Sequence, residues 1–396
     1  MKACKSMLLV LVVMALIAPA CAPTATPTEE AEEAATEEVR EVRVGVIAPY
    51  TGAWADGGTR QLQGAQLKLA ELEKDPEYAG LKITLVPCDD ASNNDQGVAC
   101  AKKLILENEV HAILGALNSN VTLAIVPVTK QYGVSEFTLS GAMAICQQDS
   151  EYIFRTTPNE ERLAKYTLWY FLSQGYDKVA IIHETDAFGS AGGEGMKMAL
   201  EEKGLEPVAF ETWDRGDKDF SAQLSKIQAS GAQALSLNGG APDSAVITKQ
   251  LIEMGMGMPI YGSQLSTFNF RDLAGESQNG VVFAAAFTSA SDDEYTKKFL
   301  DGFMQTWGRE GDNWAASHYY SLHTIADAVK AASEWGKDLK ADRDWVKDFV
   351  HENGQTDPLV EGMVYDEAGE PDFNAYIVEI QDLKDVVVGR RDDFAE

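Results

Sequence analysis

The chain has 396 residues, and its 62 acidic residues outnumber its 33 lysines and arginines, which gives a formal net charge of −29. A chain this acidic, with no visible basic cluster, is not expected to bind nucleic acid, because phosphate binding requires clustered positive charge. Once the N-terminal region is set aside, about 355 residues remain, enough for two domains that each have a core.

The first 20 residues have the pattern of a signal peptide. Two lysines precede an apolar stretch, 7–17, that is too short to span roughly 30 Å of hydrocarbon as a helix. Three small residues, 18–20, then precede Cys21, which resembles a bacterial lipobox with alanine where leucine is more usual. We therefore predict that Cys21 becomes a lipidated N-terminus. The alternative is an ordinary secretory signal cleaved near residue 20, in which Cys21 is incidental.

Residues 21–40 are predicted to form a disordered tether. The stretch 23–38 consists only of Ala, Thr, Pro and Glu, so it cannot bury enough apolar surface to fold. Signal peptide and tether together predict a protein outside the cytoplasm, in the periplasm or at the cell surface, that is anchored to a membrane by its N-terminal lipid.

Three of the five cysteines belong to the predicted folded part. An exported compartment permits a disulfide. Cys88 ends a predicted strand and Cys100 lies near the start of the next helix, so these two are candidates for a disulfide that leaves Cys146 unpaired. The histidines show no recurring ligand spacing, and no metal site is predicted.

Beyond the tether, short β-branched runs alternate with amphipathic helical stretches, the pattern of βαβ units. The first strand, 42–47, precedes a helix whose apolar residues at 62, 65, 69 and 72 share one face. The near-continuous apolar strands predict an α/β protein in which helices cover both faces of parallel sheets. Further strands are predicted at 81–86, 110–114, 134–139, 179–183, 234–237 and 281–285, then helices at 295–307, 314–332 and 342–350, and final strands at 376–380 and 386–388.

The segments that follow the predicted strands are rich in Gly, Ser, Thr and Asn. Parallel sheets bind ligands beyond the carboxyl ends of their strands. The binding site is therefore expected among the segments 48–54, 115–120, 138–143, 184–189, 238–242 and 262–264.

Six motifs follow one another along the chain: Gly45-Val-Ile-Ala-Pro-Tyr-Thr-Gly52, Pro87-Cys-Asp-Asp90, Gly115 with Ser119, Phe154-Arg-Thr-Thr-Pro158, Asp186-Ala-Phe-Gly189 and Asp219-Phe-Ser-Ala222. In this order they resemble the leucine/isoleucine/valine-binding family, the type I periplasmic binding proteins that serve ABC importers. The resemblance spans about residues 41–390.

The resemblance implies two doubly wound α/β lobes, joined by three crossovers, that close on a ligand by hinge motion. Carried onto this chain, lobe 1 comprises 41–158 with 288–364, and lobe 2 comprises 159–287 with 365–396. The implied partners are a small-molecule ligand and an ABC permease with its ATPase. No cofactor is implied, and a monomer is the default expectation.

The family pattern also implies a set of ligand-binding residues. Ser119, at a strand end and helix start, matches a serine that holds the ligand carboxylate together with backbone N–H groups; it also fits a simple N-cap. Residues 141–143 match the backbone segment that grips both polar ends of an amino acid. Trp54 and Phe188 are candidate apolar walls, although each also fits an ordinary core position. The complete set is Trp54, Asn118, Ser119, Asn120, Ser140, Gly141, Ala142, Met143, Asp186, Phe188, Gly240, Gln264 and Phe287.

Three polar residues common in amino-acid binders of the family are missing. Met143, Gly240 and Gln264 stand where threonine, tyrosine and glutamate are usual. The glutamate pairs with the ligand ammonium, and a buried charge without its partner costs about 3–5 kcal/mol. Gln264 therefore argues against a standard zwitterion and suits an amide, a urea-like group, a hydroxyl or a ring heteroatom. Gly240 opens space for a bulkier aromatic or branched carboxylate.

An acidic residue at another position would also pair with the ligand ammonium in place of the missing glutamate. Asp186, Asp243 and Asp90 lie in or near the expected site. Asp90 also fits a cap of the loop that follows its strand.

No Gly-x-Ser-x-Gly elbow or intact phosphate-binding loop occurs, so no enzyme is predicted. The sequence predicts a solute-binding lipoprotein of an ABC importer that captures a branched-chain amino acid or a related small carboxylate or amide. The alternative is a ligand-sensing receptor subunit of a signalling system.

Overall fold

The computed structural model describes residues 39–52, 54–360 and 362–395. The predicted signal peptide, Cys21 and most of the predicted tether lie outside these residues. The chain from Val39 onward forms one compact unit. In the part of the chain that the structure describes, no helix combines the length and apolar character needed to cross a membrane.

The strands, in chain order, are β1 (Arg40–Ala48), β2 (Leu81–Asp89), β3 (Ala112–Leu114), β4 (Ser135–Thr138), β5 (Ile153–Arg155), β6 (Val179–Glu184), β7 (Ala209–Trp213), β8 (Ala234–Asn238), β9 (Ile260–Tyr261), β10 (Val281–Ala285), β11 (Val364–Tyr365), β12 (Pro371–Asp372), β13 (Tyr376–Gln381) and β14 (Lys384–Arg390). Every strand predicted from the sequence is present. Five strands were not predicted: β5, β7, β9, β11 and β12.

The α-helices are α1 (Ala55–Leu72), α2 (Asn94–Leu106), α3 (Ser119–Tyr132), α4 (Glu160–Ser173), α5 (Ala187–Glu202), α6 (Ser221–Ala229), α7 (Ala241–Glu253), α8 (Phe268–Ala274), α9 (Glu294–Trp307), α10 (Asn313–Ala331), α11 (Leu339–Asn353) and α12 (Arg391–Phe394). Side chains of the residues just before α3, α4, α5 and α10 accept hydrogen bonds from the first turns. Such caps satisfy backbone N–H groups that have no partner inside the helix.

Besides a two-stranded sheet of β11 and β12, the described residues form two large sheets, whose parallel strands alternate with helices and confirm the predicted α/β class. The first is parallel, in the order β2-β1-β3-β4-β5. The second has the order β14-β13-β10-β9-β8-β6-β7, parallel from β7 to β10 and antiparallel at β13 and β14. We call each sheet with its packed helices a lobe, the first and the second.

The late helices return to the first lobe. Phe299 of α9, Tyr320 of α10 and Val346 of α11 are fully buried in one core with Val44 and Phe137 of the first sheet. The chain therefore passes between the sheets three times: after β5, after β10, and between α11 and β13. This path explains why the alternating pattern of the sequence gives way to helices after residue 293.

A disulfide joins Cys88 at the end of β2 to Cys100 in α2, with the two Cα atoms 5.7 Å apart. It connects a strand to the helix that packs beside it in the first lobe. Cys146 is buried and free, and burial raises the pKa of its thiol to about 12. The structure thus contains the disulfide that the sequence suggested.

Candidate ligand-binding site

A cavity of about 750 Å³, including its part open to solvent, lies between the two lobes. Residues that follow β3 and β4 line it from the first lobe, and residues that follow β6 and β9 line it from the second. The cavity is thus at the carboxyl ends of both sheets, where parallel α/β sheets bind ligands.

Eight of the thirteen predicted ligand-binding residues line this cavity: Trp54, Asn118, Ser119, Ser140, Gly141, Asp186, Phe188 and Gln264. The structure does not place the other five in its lining. Ala142 and Gly240 direct their backbone N–H groups to Ser119 Oγ (3.3 Å) and Glu184 Oε2 (2.8 Å). Met143 begins a short 3-10 helix, Met143–Gln148, Asn120 is exposed on α3, and Phe287 lines a second cavity of about 310 Å³.

The N-terminus of α3 forms one wall of the cavity. Asn118 Oδ1 accepts the Asn120 N–H at 3.1 Å and so caps the helix. Ser119 is 3% exposed, and its Oγ accepts the Ala142 N–H at 3.3 Å. Because a hydroxyl is a donor as well as an acceptor, the Ser119 proton remains for a ligand oxygen. A helix N-terminus with a buried hydroxyl favours an anionic group at this wall.

Arg155 holds the neighbouring backbone in place. Its fully buried guanidinium donates to the carbonyl oxygens of Ser140 and Ala142, and its Nε donates to Glu370 Oε1 at 2.6 Å. A buried arginine is stable only when its donors and its charge are matched in this way. Arg155 is thus a positioning residue for the segment 140–142, part of which lines the cavity.

Glu160 was not predicted, yet it is the most buried carboxyl of the cavity, with 2% exposure. Its Oε1 accepts the Ser263 hydroxyl at 2.8 Å, and its Oε2 has no hydrogen-bond partner among the described residues. Burial raises the pKa of Glu160 to about 7, against the opposing effects of the Ser263 hydrogen bond and the Arg155 charge. A Cβ added at Gly141 would lie 2.7 Å from Glu160 Oε1, so the close approach of Glu160 depends on glycine there.

The two other acids that line the cavity already have cationic partners. Asp186 Oδ2 lies 2.6 Å from Arg215 Nη2, and Asp186 Oδ1 caps α5. Asp312 Oδ2 lies 3.5 Å from Arg60 Nη1, and burial raises the pKa of Asp312. Asp312 Oδ2, like Glu160 Oε2, has no hydrogen-bond partner among the described residues. Of the three acids in the described lining, Glu160 is the one without an arginine in an ion pair.

Of the three aspartates proposed as substitutes for the missing glutamate, only Asp186 lines the cavity. Asp90 Oδ1 accepts the Ser92 N–H at 2.7 Å, which is the loop cap offered as its alternative. Asp243 Oδ2 accepts the Gly216 N–H at 2.8 Å. The carboxylates of Asp90 and Asp243 thus accept hydrogen bonds from backbone N–H groups outside the cavity lining.

Gln264 and the aromatic side chains complete the site. Gln264 lies in the short helix Ser263–Ser266, and its buried Oε1 has no hydrogen-bond partner among the described residues. The rings of Trp54 and Trp314 lie 6.3 Å apart, and both line the cavity. A Cβ added at Gly240 would lie 3.7 Å from Trp54 Cζ2. The space expected beside Gly240 is therefore partly occupied by Trp54.

Sequence reasoning missed three prominent residues of the cavity: Glu160, Asp312 and Trp314. Each lies at the start of a helix rather than directly after a predicted strand. An acid there reads as an ordinary cap or first-turn residue, because helix N-termini favour acids in general. Trp314 begins the helix predicted at 314–332, where a large aromatic side chain fits ordinary helix packing. A sequence search that considered the first residues of helices as well as the residues after strands would have included these three residues.

No group of three or more His, Cys, Asp or Glu within the described ranges is arranged to hold a metal ion. Among the described residues, the lining of the cavity includes hydroxyl, amide, carboxyl and aromatic side chains but no lysine, arginine or histidine. The described lining therefore presents hydrogen-bond acceptors on one side and the N-terminus of α3 on another.

The model of the periplasmic binding protein family matches residues 41–385. Leu/Ile/Val-binding protein homolog 3 from Brucella melitensis is 24% identical over 350 residues, which cover 86% of this chain and 92% of that protein.

Two solved structures share the fold. The substrate-binding protein LivJ from Streptococcus pneumoniae, in complex with isoleucine, has a TM-score of 0.76 and 24% identity over 87% of this chain and 98% of its own. A solute-binding protein from R. palustris, in complex with benzoate, has a TM-score of 0.77 and 22% identity over 89% and 96%. Because the family match extends over most of the sequence, this chain belongs to the periplasmic binding protein family, and the resemblance to its Leu/Ile/Val-binding members is confirmed.

Proposed function

We propose that this protein is the solute-binding component of an ABC importer and that it captures a small organic carboxylate, such as a branched-chain amino acid, in the cavity between its lobes. The observation that carries the proposal is the position of this cavity, at the carboxyl ends of both sheets and at the N-terminus of α3. Membership of the family supports the transport role.

The ligand carboxylate is assigned to the wall formed by Asn118 and Ser119. The first N–H groups of α3 and the Ser119 hydroxyl offer donors without bringing a full positive charge. The apolar part of the ligand would pack against Trp54, Trp314 and Phe188, which line the same cavity. The sizes of leucine, isoleucine and benzoate are all compatible with a cavity of about 750 Å³.

The protein is proposed to act by binding alone. Its relatives are described as binding proteins, and the solved neighbours hold isoleucine or benzoate. Lobe closure around the ligand is the proposed working step, because ligand contacts to both lobes stabilise a closed form for a permease to recognise. The crossovers after β5, after β10 and before β13 are the proposed hinges. The proposed lobes are those expected from the sequence, 41–158 with 288–364 and 159–287 with 365–396.

The location is proposed to be extracytoplasmic, with Cys21 as the lipid attachment site. The family match supports a protein outside the cytoplasm. Mass spectrometry of the protein isolated from its own membrane tests the anchor: a diacylated N-terminal Cys21 is expected. An unmodified N-terminus near residue 21 would instead favour the ordinary secretory signal.

A thermal-shift screen of the purified protein tests the function. The panel contains leucine, isoleucine, valine, benzoate, branched carboxylates without an amino group, and amides including urea. Ligand at 100 times its Kd stabilises the folded state by about 2.7 kcal/mol, which corresponds to a shift of several degrees. Absence of a shift across all carboxylates of the panel would contradict the proposed ligand class.

A further inference from the structure

The cavity contains acceptor oxygens that the protein itself does not satisfy. Four side-chain oxygens of its lining are buried without a hydrogen-bond partner among the described residues: Glu160 Oε2, Gln264 Oε1, Asp312 Oδ2 and Asn313 Oδ1. Asp312 Oδ2 lies 3.5 Å from Arg60 Nη1, so its charge is compensated, whereas Glu160 forms no ion pair with a cationic side chain of the described residues. Buried acceptors without a donor carry an unrecovered desolvation cost. A ligand that brings N–H donors recovers this cost.

Glu160 and Gln264 belong to one local structure. Glu160 is the first residue of α4, and Ser263, which donates its hydroxyl proton to Glu160 Oε1 at 2.8 Å, is the residue before Gln264. The Glu160 N–H donates to the Gly141 carbonyl at 3.1 Å. The carboxyl is therefore held in a fixed position against both lobes, beside the segment that follows β4.

We propose that Glu160 is the specificity-determining carboxylate of this protein and that, with the side-chain oxygen of Gln264, it binds the ammonium group of a zwitterionic ligand. This inference rests on the proposed function. It reverses the expectation from the sequence that Gln264 excludes a zwitterion, because an anionic partner is present at a different position of the same cavity.

The other charged groups near the cavity already have partners within the protein, so Glu160 is the carboxylate that remains to pair with a ligand ammonium. Arg155 is nearby, but its donors are taken by Glu370 and by backbone carbonyls. Tyr261 is fully buried, and its pKa is raised well above its usual value by burial and by the Glu160 charge. Asp186 and Asp312 are each within 3.5 Å of an arginine.

A consequence is that capture of the ligand expels a proton. Burial raises the pKa of ligand-free Glu160 to about 7, whereas an ammonium in contact favours the ionised carboxylate. At pH 7 binding is expected to release about half a proton per ligand. The affinity is expected to fall roughly tenfold from pH 8 to pH 6, because only the ionised fraction of Glu160 pairs with the ligand.

Titration calorimetry of the purified protein with isoleucine, in two buffers of different ionisation enthalpy at pH 6, 7 and 8, tests the inference. Glu160→Gln is the test variant. Glu136→Gln is the matched control, because Glu136 is also buried, with a pKa raised by burial to about 8, but is absent from the cavity lining. Glu160→Gln is expected to weaken isoleucine binding between about tenfold and 150-fold and to abolish proton release, while Glu136→Gln leaves both unchanged.

The possible outcomes separate the inference from the proposed function. Isoleucine binding that is unchanged in Glu160→Gln would overturn the role of Glu160 and leave the proposed function standing. Binding of benzoate or branched carboxylates without isoleucine would do the same. Isoleucine binding that is weakened in Glu160→Gln but independent of pH would overturn the proton release alone. Absence of binding by every carboxylate tested would overturn both.

Discussion

Two buried glutamates, Glu136 and Glu160, show how position changes the meaning of the same chemical group. In each, one carboxyl oxygen accepts a hydrogen bond from a hydroxyl, Thr129 at 2.9 Å for Glu136 and Ser263 at 2.8 Å for Glu160. The other oxygen of each has no hydrogen-bond partner in the part of the chain that the structure describes. Burial raises the pKa of both. Glu136 lies within the first sheet on β4, whereas Glu160 lines the cavity. A ligand can therefore complete the hydrogen bonds of Glu160 but cannot reach Glu136 in this arrangement.

The comparison teaches that a shifted carboxyl pKa indicates a functional site only when a ligand can reach the carboxyl. Perturbed pKa values occur at functional sites but also in sealed cores. Burial raises the pKa of both Glu136 and Glu160, so a search by pKa alone would not distinguish the two residues. The cavity, not the size of the shift, identifies Glu160.

The largest expected effect comes from Arg155, the positive charge that acts on Glu160 and not on Glu136. Arg155→Met leaves Glu370 and the Ser140 and Ala142 carbonyls without their donor. Breaking such a buried pair is expected to lower the free energy of unfolding by about 3–5 kcal/mol, measured by urea denaturation. Arg155→Lys, which keeps the charge but not the planar fork, is expected to be less affected. A loss below 1 kcal/mol in Arg155→Met would contradict the positioning role.

Removal of the disulfide separates global stability from binding. In the Cys88→Ser, Cys100→Ser double variant, the unfolded chain is no longer crosslinked and gains conformational entropy. Its free energy of unfolding is therefore expected to fall by about 2–3 kcal/mol. Neither glutamate is touched, so the affinity for isoleucine is expected to stay within about twofold, measured by calorimetry below the melting temperature. A large loss of affinity would show that binding follows stability rather than the local chemistry of Glu160.

The pH dependence of stability tests both glutamates in the ligand-free protein. Folding raises each pKa above the ordinary glutamate value of 4.5, so the folded state binds the proton more tightly than the unfolded state. The resulting stability is complete below about pH 4.5 and is lost as the pH rises through about 7 for Glu160 and about 8 for Glu136. At pH 8.5, the free energy of unfolding of Glu136→Gln and of Glu160→Gln is expected to exceed that of the unmodified protein by roughly 1–3 kcal/mol. Near pH 4.5 the variants and the unmodified protein are expected to be equally stable.

Thermal denaturation across this pH range measures the effect. Equal pH profiles for the two variants and the unmodified protein would show that neither carboxyl is protonated in the fold. Since Glu160→Gln is expected to gain stability while losing affinity, the two readouts move in opposite directions, which a merely structural role would not produce.

The smallest expected effects come from the two hydroxyl partners. Ser263→Ala and Thr129→Val each remove a hydrogen bond that lowers the pKa of the adjacent carboxyl, with a stability loss of about 0.5–1.5 kcal/mol. Ser263→Ala is expected to move the midpoint of the affinity–pH profile for isoleucine to higher pH. Thr129→Val is expected to leave that midpoint unchanged, and a shift in both would remove the distinction between the two glutamates.

Much of the fold could be read from the sequence because its signals are local. The buried strands β1, β6, β8 and β10 are continuous apolar runs, and the helices have clear periodicity. The unpredicted strands lack such signals. β5 has three residues, and β9, β11 and β12 have two each. β7, at the edge of its sheet, is only partly buried. Their extended conformation depends on pairing with neighbours, which is a tertiary effect.

The sequence by itself determined the fold class, the family resemblance and the strand-end segments that include Ser119, Gly141 and Gln264, since each of these follows from local pattern and order. Only the tertiary structure decided that Glu160, more than 100 residues before Ser263 in the chain, lies against it in a shared cavity. Burial, the absence of a partner and the distance between remote side chains are properties of packing, and packing alone converts an ordinary first-turn glutamate into the candidate anion of the site.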